Sequence, residues 1–297
     1  MKETPIIAFL YDFDKTLCTT DMENYSFIPS LGLTPEEFWP LANGFGRENH
    51  VDSVLAYMYT MVNEARKRNS PFTRSDLVEM GKSVELFPGV KEWFARIDAF
   101  GRELGVQVEH YVLSTGLQEI IEGSGIFDCF KEVYASEYYY DENGLPIWPK
   151  LAVNFTSKTQ FVYRINKGIL DVSNDHDLNA SMPDDSKRVP FTNMIYVGDG
   201  LSDVPCMKMM RAYGGQAIAV YQEDGNRAAV EDLLATGRVD YAFPADYREG
   251  TAMDKTVKNI IRKMAINETL SRETTRQLHI VAQRRANPTL LGQMKFE

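Results

Sequence analysis

Cysteine and histidine are scarce in this chain, at three and four among 297 residues. Cys18, Cys129 and Cys206 lie far apart and form no Cys-x-x-Cys pair. That spacing gives no disulfide framework and suits inert thiols in a reducing compartment. His50, His110, His176 and His279 lack the spacing of metal ligands, which argues against a histidine-based metal site. Basic residues are also in deficit: 32 Lys and Arg against 42 Asp and Glu, a formal net charge of -10. Nucleic acid and anionic membrane both reward clustered cations, so neither is expected as the main partner. Long apolar runs are missing too, since no segment approaches the roughly 18 residues of a membrane span. The N-terminus, Met1-Lys2-Glu3-Thr4-Pro5, lacks signal-peptide architecture, and a cytoplasmic protein is expected. No internal repeat or low-complexity tract stands out.

What is present is ordinary for a globular protein: 44% hydrophobic and 25% charged residues. The length suggests one large domain, or a core with an inserted one. Ile6 to Tyr11 is an apolar run of β-formers that ends at acidic residues, the pattern of a buried parallel strand. Three later runs resemble it. Tyr111 to Leu113 precedes Ser114-Thr115-Gly116; Met194 to Val197 precedes Gly198-Asp199-Gly200; Ala217 to Val220 follows Gly214-Gly215. Helical patterns over 90–100, 117–122, 159–171 and 203–212 separate them. Strands alternating with helices imply a doubly wound parallel α/β sheet, with ligands beyond the carboxyl ends of its strands.

Residues 20–86 lack strand alternation. Thr34-Pro35-Glu36-Glu37 is a helix start, and Val54, Leu55, Met58 and Val62 follow helical spacing in a segment from Val51 to Asn69. This predicts a small helical subdomain. Gly44-Phe45-Gly46-Arg47 reads as a loop that could carry Arg47 toward a substrate anion, or as plain solvated surface. A small β-element is expected over 131–157, with strands at Val133–Ser136 and Leu151–Val153 around an Asp141–Gly144 turn. Residues 172–190 read as a polar loop. A separate helical extension is expected over 268–297.

The chemistry concentrates at the strand ends. Asp12 and Asp14 repel each other, so both ionise only with a cation between them, or one takes a proton. A hard divalent cation such as Mg²⁺ suits such carboxylates and would neutralise a phosphate. Asp12 could then attack phosphorus while Asp14 moves protons. Taken alone, Asp-x-Asp is equally a loop or capping pair. Ser114, Thr115 and Gly116 could present donors to a phosphate oxygen, or merely cap the following helix. Asp199 would supply another metal oxygen if its strand neighbours that of Asp12, and Asp203 lies one turn on. Lys158 is by residue type an ordinary surface lysine.

In this order, Asp12-x-Asp14-x-Thr16, Ser114-Thr115, Lys158 and Gly198-Asp199-Gly200-x-Ser202-Asp203 resemble the haloacid dehalogenase superfamily, in its phosphoserine-phosphatase-like branch. The resemblance implies a Rossmann-like core over 1–19 and 87–267, with residues 20–86 as a helical cap. It implies a phosphoaspartate on Asp12, acid/base work by Asp14, and phosphoryl binding by Ser114 and Lys158. Thr16, Thr115 and Gly116 would join the substrate site. Mg²⁺ would be held by the Asp12 side chain, the Asp14 backbone oxygen and Asp199, with Asp203 in support. Lys150 and Lys167 lie close enough in sequence to compete for the role of Lys158. Asp21 falls where some relatives place a cap acid against a substrate amine; it could equally cap the next helix. Members that cleave carbon–halogen bonds lack the second aspartate, so Asp14 points to phosphoryl transfer from a small phosphorylated metabolite. Water or another alcohol could be the acceptor, and a catalytically silent binding protein would require a broken motif, which is not seen. Oligomeric state stays open.

Overall fold

In a computed structural model of the chain, residues 4–223 and 225–286 are described. Strand β1 (Ile6–Tyr11) is the apolar run anticipated above, and its alternation feeds two cores. Ile7, Phe9 and Tyr11 pack on one face of the sheet, Ala8 and Leu10 on the other. A strand buried on both faces must be apolar throughout, which is why β1 reads as a continuous run.

After β1 the chain makes a short 3-10 turn (Met22–Asn24) and four helices: α1 (Phe27–Ser30), α2 (Pro35–Asn49), α3 (Ser53–Lys67) and α4 (Arg74–Gly81). Thr34 and Glu37 close the capping box at the start of α2. Asp52 caps α3 by accepting from the Val54 and Leu55 amides. Gly44-Phe45-Gly46-Arg47 is not a loop but part of α2. Gly46 lets α2 approach α3, since a Cβ there would lie 3.2 Å from the Ala56 methyl.

The chain then alternates. Helix α5 (Val90–Glu103) leads to β2 (Gln107–Leu117), α6 (Gln118–Gly123), β3 (Glu132–Tyr140) and β4 (Pro146–Leu151). Helices α7 (Lys158–Lys167) and α8 (Asp175–Asn179) follow, then β5 (Met194–Gly198), α9 (Val204–Ala212), β6 (Gln216–Tyr221), α10 (Arg227–Ala235), β7 (Tyr241–Pro244) and α11 (Ala252–Ala286). The seven strands form one sheet in the order β4-β3-β2-β1-β5-β6-β7. All neighbours are parallel except β3 and β4. Strand order reverses at β1, between β2 and β5, so the crevice expected of a doubly wound sheet opens beyond Tyr11.

Three expectations shift. The anticipated β-element is no separate unit: β3 extends the main sheet and its far half pairs with β4. The second strand covers 146–151 rather than 151–153, because Pro146 and Pro149 disguise it; as an edge strand, β4 tolerates them. Pro244 sits on the opposite edge, in β7. No extension begins at 268. Nothing in the sequence stops a helix there, and α11 runs on from a first half that buries Met253, Val257, Ile260, Ile261 and Met264. Residues 287–297 of the expected extension lie outside the described residues. Among the described residues no helix is long and apolar enough to cross a membrane.

Candidate active site

The end of β1 fixes Asp12 by a backbone bond, its amide donating to the Val197 carbonyl of β5 at 2.9 Å. The residue is 4% exposed, and its carboxylate accepts from Lys158 Nζ at 2.7 Å. Lys158 opens α7 with no exposed surface and donates also to Asp203 Oδ1 at 2.8 Å. Tyr196, on β5, donates to the same Asp203 oxygen at 2.7 Å. The competing lysines are engaged elsewhere: Lys150 with Glu137, Lys167 with the Leu178 and Ala180 carbonyls.

One carboxylate oxygen each from Asp12, Asp199 and Asp203 lies within 4.8 Å of the others. Lys158 offsets one of these three negative charges; Asp12 and Asp203 are buried and Asp199 is partly buried. Burial, then repulsion from Asp203, lifts Asp12 to about 7 against the pull of Lys158. Burial, then Asp12 and Asp203, lifts Asp199 to about 8. Asp203 Oδ2 is buried with no hydrogen-bond partner. An all-oxygen set with surplus negative charge and an unpartnered oxygen fits a hard divalent cation such as Mg²⁺. Gly198 makes the crowding possible, since a Cβ there would lie 2.4 Å from Asp203 Oδ2. Asn226 reaches in from beyond β6 and holds Asp199 by its carbonyl (2.7 Å) and Oδ2 (3.2 Å).

Asp14 stands apart from this trio. Its Oδ1 accepts the Met22 amide at 2.9 Å, and its side chain lines a cleft of about 300 Å³. Burial raises its pKa well above the usual carboxylate range, and the charge of Glu23 raises it further. Immediately after Asp14 the backbone turns so that Lys15 adopts φ 55° and sends Nζ to both oxygens of Asp21, at 2.8 and 2.7 Å. Asp21 makes no capping bond to the turn that follows it, and its carboxylate is engaged by Lys15.

Strand β2 runs through Ser114-Thr115-Gly116 to Leu117, past the expected end at Leu113, with an irregular register against β3 between Leu113 and Leu117. Ser114 is buried and its Oγ accepts the Gly116 amide at 3.1 Å. Thr115 and Gly116 line the cleft beside Asp12, Asp14 and Asp199. Thr16 does not line it; it is buried beneath the loop, with its carbonyl accepting from Tyr247 Oη at 2.8 Å. Thus Asp12, Lys158, Asp199 and Asp203 come together, with Asp14, Thr115, Gly116 and Asp21 around the opening.

Sequence reasoning missed Asn226, Tyr196 and the far wall of the cleft: Glu23, Trp39, Tyr57 and Phe155. These residues belong to no motif, and only tertiary placement brings them to the site. For Tyr196 a weak signal existed, a polar atom two residues before the end of a buried strand.

Comparison with known proteins bears on the fold and the family. A protein of Borreliella burgdorferi described as uncharacterized is 25% identical over 276 residues, 84% of this chain and 94% of its own. Among solved structures, a phosphoserine phosphatase in apo form superposes with a TM-score of 0.54 at 14% identity, over 82% of this chain and 96% of its own. A probable phosphoserine phosphatase of Vibrio cholerae gives 0.54 at 13% identity, over 91% of this chain and 69% of its own. A hydrolase from Salmonella enterica serovar Typhi gives 0.53 at 14% identity, over 82% and 68%. At such identities they establish the shared fold. The family itself is set by a model that matches residues 9–208, a span that includes Asp12, Ser114, Lys158, Asp199 and Asp203, and on that match the chain belongs to the haloacid dehalogenase-like hydrolases.

Proposed function

We propose that this protein is a Mg²⁺-dependent phosphatase that hydrolyses a small phosphomonoester through a phosphoaspartate on Asp12. The observation that carries the reading is the buried Lys158, which joins Asp12 to Asp203 beside Asp199 while Asp14 faces the cleft. Asp12, Asp199 and the Asp14 backbone oxygen would hold Mg²⁺, with Asp203 in support. Bound there, the ion supplies positive charge that lowers repulsion between a carboxylate and a phosphate dianion.

The protein's own groups then divide the reaction. An Asp12 oxygen bonds to phosphorus as the ester P–O bond breaks. Asp14, whose burial raises its pKa and so favours its protonated form, protonates the departing alkoxide. Asp14 next takes a proton from water as that water attacks phosphorus and frees Asp12 and phosphate. Lys158 steadies the negative charge beside Asp12, and the Ser114-Thr115-Gly116 segment receives phosphoryl oxygens. The helical segment over 20–86 acts as a cap that excludes bulk water. Buried Cys18 and Cys206, both free thiols, suit a cytoplasmic setting.

Phosphate release from an aryl phosphate with Mg²⁺ tests this directly. Asp12→Asn should lower kcat at least about 10³-fold, as loss of a nucleophile does elsewhere. Chelating the metal should abolish turnover of the unaltered protein. Undiminished release in either experiment refutes the mechanism.

A further inference from the structure

Glu23 has no part in the chemistry above, yet it lines the same cleft. It lies on the turn Met22–Asn24 and is only 2% exposed. Its Oε1 is buried with no hydrogen-bond partner. Burial, then the nearby Asp21, pushes its carboxyl up to about 8. An unpaired buried carboxylate is costly to maintain, and a cation that enters the cleft removes that cost.

Its position says which part of a substrate it would meet. Among the charges acting on Asp14, that of Glu23 is the largest, ahead of Asp21 and Asp12. Glu23 thus shares the cleft with Asp14, to which the mechanism above assigns protonation of the departing alcohol. It is also the foremost charge acting on Tyr57, in the aromatic wall.

The rest of the lining narrows the chemistry. Among the described lining residues Lys15 is the sole cation, and Asp21 holds it through both oxygens. A carboxylate on the substrate would meet Asp14, Asp21, Glu23 and Asp199 with no free cation to receive it. Trp39 and Tyr57 pack edge to face, with ring centroids 6.0 Å apart. Their polar atoms are engaged within the protein, Trp39 Nε1 with Asn24 and the Tyr57 hydroxyl with the Thr115 carbonyl. They offer the cleft ring carbon, which attracts ammonium groups and repels anions. At about 300 Å³ the cleft suits a short alcohol.

We propose that the cleft selects phosphomonoesters whose alcohol carries an ammonium group and no carboxylate, with Glu23 receiving the cation. This rests on the phosphatase reading, and the experiment separates the two. The unaltered enzyme with Mg²⁺ is given choline phosphate and its uncharged isostere, 3,3-dimethylbutyl phosphate, which differ only by nitrogen against carbon. Ethanolamine phosphate and serine phosphate form a second pair, which differs by the carboxylate. An aryl phosphate serves as the control.

The expected result is kcat/KM at least about tenfold higher for the ammonium ester than for its isostere, and for ethanolamine phosphate than for serine phosphate. In Glu23→Gln the first ratio should fall toward one, and in Glu23→Asp it should partly return. Ratios near one in the unaltered enzyme, with aryl phosphate cleaved, overturn the selectivity and leave the phosphatase reading standing. Serine phosphate preferred to ethanolamine phosphate does the same. Failure to cleave any ester, the aryl one included, overturns both. The first two ratios need no variant, so a misfolded Glu23→Gln protein cannot shield the proposal.

Discussion

The two walls of the cleft handle charge in opposite ways. On the core wall, Lys158 joins Asp12 to Asp203, Tyr196 adds a third bond, and Asn226 holds Asp199. On the wall that carries Glu23, one of its carboxylate oxygens is left unpartnered in a cleft also lined by Trp39 and Tyr57, and the ion pair of Lys15 with Asp21 closes on itself. If the core wall attacks phosphorus as proposed, its groups need to be fixed before the substrate arrives, because preorganised charge loses nothing to rearrangement. If the facing wall recognises an alcohol as proposed, it can leave a group unsatisfied until the correct ligand supplies the partner.

The sharpest way to break this contrast is to empty the core wall of its cation. Lys158→Met should lower unfolding free energy by about 3–5 kcal/mol, because it leaves buried carboxylates uncompensated. Denaturant titration without added metal measures it. A variant as stable as the parent would mean that the acids are already neutral, and the two walls would then differ little.

A smaller effect is expected from crowding. Gly198→Ala brings a methyl to 2.4 Å from Asp203 Oδ2 and should cost about 1–3 kcal/mol. Gly200→Ala, two residues on, meets nothing within 4 Å and has an extended backbone at φ -163°. It should melt within about 0.5 kcal/mol of the parent. Equal melting of the two variants would show that the core wall gives way more easily than its hydrogen bonds suggest.

A further effect has the opposite sign. Glu23 is held near 8 in the fold, above the usual carboxylate range, so folding favours its protonated form. That contribution is complete below the unfolded value near 4.5 and fades as pH rises through about 8. Glu23→Gln removes the titrating group. Its melting temperature relative to the parent should therefore climb between about pH 5 and pH 9, whereas losses on the core wall only destabilise. A pH-independent difference would show that the fold does not hold Glu23 above the usual carboxylate range.

The core wall was largely legible in the sequence and the facing wall was not. Strand β1 and the runs before Ser114 and Gly198 announce themselves because strands buried on both faces admit only apolar residues. The polar residues that end them then stand out. Lys158 could be found only through its order along the chain; of the three lysines it is the one bonded to Asp12, while Lys150 and Lys167 are engaged elsewhere. Glu23, Trp39 and Tyr57 give no such signal, because helix packing alone decides which side chains of residues 20–86 face the cleft. The same limit misread Gly44 to Arg47 as a loop, since glycine placed for close helix contact looks like glycine placed for a turn. Strand β4 was displaced because its prolines carry the signature of a break.

Those prolines bear on how the protein behaves in a crowded solution. An open sheet ends in rows of unsatisfied amides and carbonyls, a template on which another chain can add and from which fibres can grow. Pro146 and Pro149 remove amide donors from one border and Pro244 removes one from the other. Lateral recruitment is thereby discouraged at both ends of the sheet, well away from the crevice where β1 meets β2 and β5. The features that hid a strand from pattern reading are thus the ones that keep seven strands from becoming an indefinite number.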